Sequence, residues 1–228
     1  MEATVPHLKN GVLRRLEPED LAAITPHLFL VDLKRHTVLS SPEAPLKNTL
    51  FVESGVISVA ATSPKGKSVE ILKFGREGFR GAPALLGAEQ TISARVQVTG
   101  QVHTIPADVL VVFMNERPFL RAALMAYVTR CLAMSVETAF AYAVCPLRQK
   151  VARWILSTLD RIDDISFPFT HEEVARMLGA RRVSSLLPCR KLKEQERSLL
   201  GVRCLPSATG TCWRNPQDFG NLGHAAGL

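Results

Sequence analysis

The amino-acid sequence predicts an α+β chain: an N-terminal β-roll, one long helix and a C-terminal helix-turn-helix. Three observations support that order. Between about Phe29 and Phe113, brief apolar runs are broken by turn residues, the pattern of a β-sandwich or roll. From Arg117 to Ala143 no Gly or Pro follows Pro118, and apolar residues recur every three or four positions, as on a helix. After Asp163-Asp164, a capping signature precedes a short apolar run, a glycine and two arginines, which spells two helices joined by a tight turn.

Each element has a local cause. In LEPEDLAAITPHL, Leu16 to Leu28, Pro18 suits a first helical turn, acidic Glu17, Glu19 and Asp20 sit near the positive end, and Pro26 marks the stop. Pro64-Lys65-Gly66-Lys67 and Thr99-Gly100-Gln101 read as hairpin turns within the strand-rich region. The long helix carries Leu120, Leu124, Tyr127, Cys131, Met134, Thr138 and Ala141 on one stripe. At roughly 27 residues it would extend about 40 Å. Such a stripe can pack on its own domain, but the length exceeds what a compact β domain covers. Pairing with a second copy accounts for the excess, which predicts a dimer interface at Leu120, Leu124, Tyr127, Cys131 and Met134. Pro146 then reads as a hinge, and Val151, Trp154, Ile155 and Leu159 share one face of the helix beyond it.

With 228 residues the chain exceeds one compact unit of ordinary size, and the boundaries predicted are 1–116 for the roll, 117–145 for the long helix and 146–228 for the C-terminal domain. Hydrophobic residues make up 46% and the mean hydropathy is +0.10, so folded cores are expected. The net charge of +7 and pI near 9.4 favour polyanionic partners. All five cysteines lie from Cys131 onward, with no Cys-x-x-Cys pair, which predicts no metal site and no cofactor. His36 and His103 read as strand residues rather than haem ligands. The N-terminus lacks a signal-peptide layout and no apolar run approaches 18 residues, so a cytoplasmic chain with no membrane contact is expected. No nucleophile-base pair, phosphate loop or convergent carboxylate pair is visible, and Asp163-Asp164 and Glu172-Glu173 are adjacent rather than opposed. A catalytic role is therefore not expected.

The segment THEEVARMLGARRVSSLLPCRKLKEQ, residues 170 to 195, is the most informative. Thr170 and Glu173 have capping-box spacing, Ala175 is small where helices cross, Gly179 permits a left-handed turn, and Val183, Leu186 and Leu192 can face inward. From Arg176 to Arg203 there are eight Lys or Arg residues against two acids, a placement that suits a duplex better than an ordinary helical hairpin. Arg181 and Arg182 open the second helix, whose amino end enters the major groove, where a guanidinium can grip guanine O6 and N7. Ser184 lies one turn on, and Arg190 and Lys191 suit phosphate contacts.

The whole layout resembles the Crp/Fnr family, regulators similar to the cyclic AMP receptor protein. The resemblance covers about residues 16 to 195 and rests on FVESGVISV, GREGFRGAPALLG, the long helix, VARWILSTLDRI and FPFTHEEVARMLGARR. It implies a cyclic-nucleotide-binding-like jelly roll, a homodimer, and winged helix-turn-helix domains that bind a two-fold symmetric promoter site in double-stranded DNA and contact RNA polymerase. By the same resemblance Arg182 matches the guanine-reading arginine, Thr170 matches the capping threonine, and Val183 replaces the usual glutamate.

Two departures follow. Aligned through Gly81, the family's ribose-binding glutamate falls on Ala82, and its phosphate-binding arginine on Ile92, before Ser93. The effector pocket around Gly81, Ala82, Ile92 and Ser93 thus lacks both charged ligands, which predicts an unknown effector other than cyclic AMP. Arg80 and Arg95 read as exposed loop or strand-edge charges. After Ser185 the tail shows little strand alternation, and Pro188 falls inside the presumed recognition helix. Either a shortened recognition helix meets an atypical or absent wing, or the reading frame shifts near Ser185. The alternative to a DNA reader is a cyclic-nucleotide-domain-like protein acting through protein contacts, with impaired DNA binding.

Overall fold

A computed structural model describes residues 8–164 and 167–180. Eight strands form a sandwich of two four-stranded antiparallel sheets. The first sheet has the order β1 (Phe29–Leu33), β8 (Gly100–Pro106), β3 (Asn48–Val52), β6 (Phe79–Arg80). The second has the order β2 (Val38–Ser40), β7 (Ser93–Val98), β4 (Val56–Thr62), β5 (Ser68–Phe74). Phe51, Val52, Ile57, Val59, Phe79, Val96, Val102 and Ile105 fill the space between them. A short helix, α1 (Pro18–Ile24), precedes the sandwich with Pro18 in its first turn, as expected.

The hairpin predicted at Pro64 to Lys67 is present between β4 and β5, closed by Ser63 N–H to Lys67 O at 2.8 Å. The one predicted at Thr99-Gly100-Gln101 is not a hairpin. β7 pairs with β4 and β2, whereas β8 pairs with β1 and β3, so the chain changes sheets there. The Ser54-Gly55 link between β3 and β4 also changes sheets, and the two crossings bond to each other through Ser54 and Gln101. They approach so closely that a Cβ on Gly100 would lie 2.0 Å from the Ser54 carbonyl oxygen. Only glycine fits that position.

A second correction concerns the end of the strand-rich region. Ala107–Glu116 is a ten-residue helix, α3, not a strand. Its β-branched run favours strand locally, but Ala107, Leu110 and Met114 recur at helical spacing and are buried against the sandwich. Tertiary packing prevails over propensity here. A single-turn helix, α2 (Ala82–Leu85), follows β6.

The long helix α4 is Pro118–Val144, 27 residues. Its most apolar window has a mean hydropathy of 1.4, so by length and composition it could span a membrane, although the contiguous apolar runs are short. Only 17% of that window is buried within the chain. Pro146 then separates α4 from α5 (Leu147–Leu159), as predicted. A smaller core of Val151, Trp154, Ile155, Leu159, Phe167, Val174 and Leu178 follows it.

Candidate nucleic-acid interface and effector pocket

The helix expected after the aromatic-proline segment is α6 (His171–Met177), and its capping box is complete. Glu173 N–H donates to Thr170 Oγ1 at 3.1 Å, and Thr170 N–H donates to Glu173 Oε2 at 2.7 Å. Both hydrogen bonds satisfy amides that a helix start otherwise leaves unpaired. Gly179 adopts a φ of +62°. With Ala180 N–H reaching Ala175 O at 2.8 Å and Gly179 N–H reaching Arg176 O at 3.2 Å, it closes a Schellman motif. Phe167 and Phe169 pack on each other and on Trp154 of α5, with ring centroids 5.1–5.9 Å apart, which anchors the approach to α6. Of the residues predicted to meet DNA, Thr170 belongs to this scaffold. Arg181, Arg182, Ser184, Arg190 and Lys191 lie outside the described residues, as do the tail after Ser185 and Pro188.

Several contacts from the roll hold this helical unit, none of which local sequence pattern revealed. Arg35 Nη2, beyond β1, donates to both oxygens of Glu173 at 2.9 Å, so one carboxylate serves the helix cap and the roll. His36 Nδ1 stands 3.8 Å from the same carboxylate. Val69 of β5 forms a bridge with Leu178. Lys73 of β5 is buried and donates to Trp154 O at 2.7 Å, Ser157 Oγ at 3.0 Å and Thr158 Oγ1 at 2.6 Å on α5. Its Nζ also lies 3.3 Å from Glu70 Oε1 and 4.3 Å from the centre of the Trp154 ring. Desolvation lowers the lysine to about 8, against the partial opposition of the Glu70 charge. Residues three apart on a regular strand face opposite ways. The register skips Ile71, with Leu72 opposite Val59 and Glu70 opposite Ala60, and this bulge puts Glu70 and Lys73 on one face.

The predicted effector residues lie at the ends of two elements. Gly81, at φ +139°, precedes α2, which begins at Ala82, and Ser93 opens β7. Ile92 packs partly buried against the main core. Neither Ala82 nor Ile92 offers a charge. Arg95 is exposed as expected, but Arg80 is not: it is 2% exposed, and its Nη2 donates to Gln90 Oε1 at 3.2 Å. Burial holds its guanidinium below the usual arginine range. Gln90 is itself tied to Leu46 O at 2.8 Å, so Arg80 belongs to the wall of the roll.

Within α4, Leu120, Leu124 and Tyr127 are buried against their own roll, with Tyr127 5.2 Å from Phe79. Cys131 is partly buried against the same core, and burial raises its thiol to about 11. Met134 is half-buried. The exposed large apolar side chains of α4 lie elsewhere: Phe119, Leu132, Val136, Phe140 and Val144. The helix therefore has two apolar faces, and the predicted stripe is the inward one.

No protein-family model matches the chain. Over 181 residues it is 23% identical to a CRP-like cAMP-activated global transcriptional regulator of Mycobacterium tuberculosis, spanning 75% of this chain and 80% of that protein. It is similar to the structure of a c-di-GMP-responsive global regulator of Xanthomonas campestris, with a TM-score of 0.61 at 16% identity, covering 84% of this chain and 96% of that one. A Eubacterium rectale protein assigned to the transcriptional regulators of the Crp/Fnr family gives a TM-score of 0.65 at 15% identity, covering 87% and 91%. The fold is that of the Crp/Fnr regulators.

Proposed function

We propose that the chain is a DNA-binding transcriptional regulator of the Crp/Fnr type that binds a two-fold symmetric promoter site as a homodimer and contacts RNA polymerase. The observation that carries this reading is the capped, Schellman-terminated α6 leading directly into Arg181-Arg182. In a helix-turn-helix such a turn leads into a second helix whose amino end enters the groove, and Arg181 and Arg182 would supply its guanidinium groups. The domains are a roll over 1–116, a dimerisation helix over 117–145 and a reader over 146–228. The exposed face of α4 supports the dimer. Ala126, Thr129, Ala133, Val136, Phe140 and Ala143 are all exposed and alternate in spacing between three and four, which is the seam of a two-stranded coiled coil. Pairing there covers the apolar surface that the chain leaves open and places two readers symmetrically.

The expected DNA binding is strongly salt-dependent in a gel shift, since Arg190 and Lys191 act on phosphates. Arg182→Ala relaxes base preference at one position of each half-site, at a cost of about 1–3 kcal/mol against the preferred base. Uniform weakening across all sequences would make it a phosphate contact instead. The effector differs from cyclic AMP, because Ala82 and Ile92 leave the phosphate and ribose without charged partners. Isothermal titration with cyclic AMP is expected to show no saturable binding, and micromolar affinity would overturn this. A chain acting only through protein contacts would lack salt-dependent binding on every promoter tested.

A further inference from the structure

The geometry points to an anion site in the cleft between the roll and the reader, one that accepts a phosphate group or a phosphomonoester. The cleft is lined by Arg35, Arg95 and Gln97 of the roll and by Trp154, Glu173 and Arg176 of α5 and α6. Its charge is unbalanced. Among the described lining residues Glu173 is the only acid, and it is already neutralised by Arg35 at 2.9 Å. Arg95 and Arg176 are exposed, and neither has an ion pair or hydrogen bond from its side chain among the described residues. One comes from β7 and the other from α6, so a single ligand between them would bridge the two parts of the molecule.

A second observation is independent of those charges. Three residues of the cleft carry sheltered polar atoms without partners: Arg35 Nε, Gln97 Oε1 and Trp154 Nε1. Trp154 is only 4% exposed, and an unpaired indole N–H at such depth costs free energy that a bound acceptor would recover. Two of the three atoms are donors, and the free guanidinium groups add paired donors suited to a phosphate. The remaining acceptor on Gln97 suits the proton of a monohydrogen phosphate. The cavity has a volume of about 30 Å³, room for about two waters. One edge of the anion would therefore enter, with its remaining oxygens against the exposed Arg95 and Arg176 and any larger group in solvent.

Because such a ligand contacts both the roll and α6, it would fix the reader's position. That regulatory consequence rests on the proposed DNA-reading role, whereas the binding itself does not. The test is isothermal titration of the full-length protein with inorganic phosphate, at ionic strength held constant with chloride and with no DNA present. Saturable binding of one phosphate per chain is expected. It should weaken about tenfold or more in Arg95→Met and in Arg176→Met and persist in Arg15→Met, an exposed arginine remote from the cleft. Circular dichroism melts without phosphate check that the variants fold. Absence of saturation, or equal binding in all three variants, overturns the site. A phosphate-free protein whose Arg95→Met and Arg176→Met variants lose only DNA affinity also overturns it, by showing that these arginines serve the duplex backbone.

Discussion

Lys73→Met should destabilise the chain by roughly 3–5 kcal/mol in urea unfolding, because it leaves a buried carboxylate without its cation. Glu70 is 5% exposed, and Ser58 Oγ is its other hydrogen-bond partner. The same substitution also removes the three bonds that tie β5 to α5. The double variant Glu70→Leu/Lys73→Met should recover a substantial part of the loss, since replacing both members of a buried pair leaves no orphan charge. A single-variant cost below about 1 kcal/mol would show that the pair is hydrated in solution. The pH dependence has a defined sign. Folded Lys73 releases its proton near 8, and the unfolded side chain near its ordinary 10.5. Between those values the unfolded chain binds more protons, so this lysine makes stability rise with pH. Burial raises Cys131, Tyr127 and Tyr142, and these contribute the opposite slope at alkaline pH. The difference between wild type and Lys73→Met isolates the lysine, and it should widen from pH 8 to about 10.5.

The second large effect is expected on α4. Val136→Glu/Phe140→Glu should convert the proposed dimer to a monomer in analytical ultracentrifugation, because four carboxylates would then meet across one seam. Val136 is 61% exposed and Phe140 44%, so the monomer loses little internal packing and should melt at nearly the same temperature as an isolated wild-type chain. DNA affinity should fall on the order of 100-fold or more, since the second half-site no longer benefits from the first. A double variant that still sediments as a dimer would remove the seam from consideration.

Local chemistry was readable in the residues, and long-range placement was not. Thr170 and Glu173 are three positions apart and complete their bonds within one turn, so the start of α6 could be predicted from four letters. The ends of α4 and the break at Pro146 were readable for the same reason. Thr99-Gly100 looked like a hairpin because adjacent strands usually pair, but the pairing partners of β8 lie about fifty to seventy-five residues away. The run in α3 is β-branched, and only its burial against the sandwich makes it helical. On α4 the sequence carries apolar residues on both faces, and which one meets the roll depends on Tyr127 reaching Phe79. Strand alternation puts Lys73 on the outer face beside Ser58, away from Leu72 and Phe74, and only the packing of α5 on that face buries it, while the bulge at Ile71 brings Glu70 round to join it. A lysine three residues after a glutamate in an otherwise apolar strand is the one trace it leaves.

The position of β8 in the first sheet has a consequence for how the chain is made. Phe29 of β1 bonds opposite Thr104, and Thr49 of β3 opposite Ile105, so both earlier strands are joined through a strand that comes last. As the chain leaves the ribosome, the β4–β5 hairpin can form from neighbours, but β1 and β3 have no shared partner until residue 106 has emerged. High contact order of this kind slows closure and leaves apolar strands waiting. Phe29, Leu30 and Val31 remain largely exposed even in the finished sheet. Nascent chains that stop before Gly100 should therefore depend on chaperones, and synthesis through β8 is the step that makes the roll self-supporting.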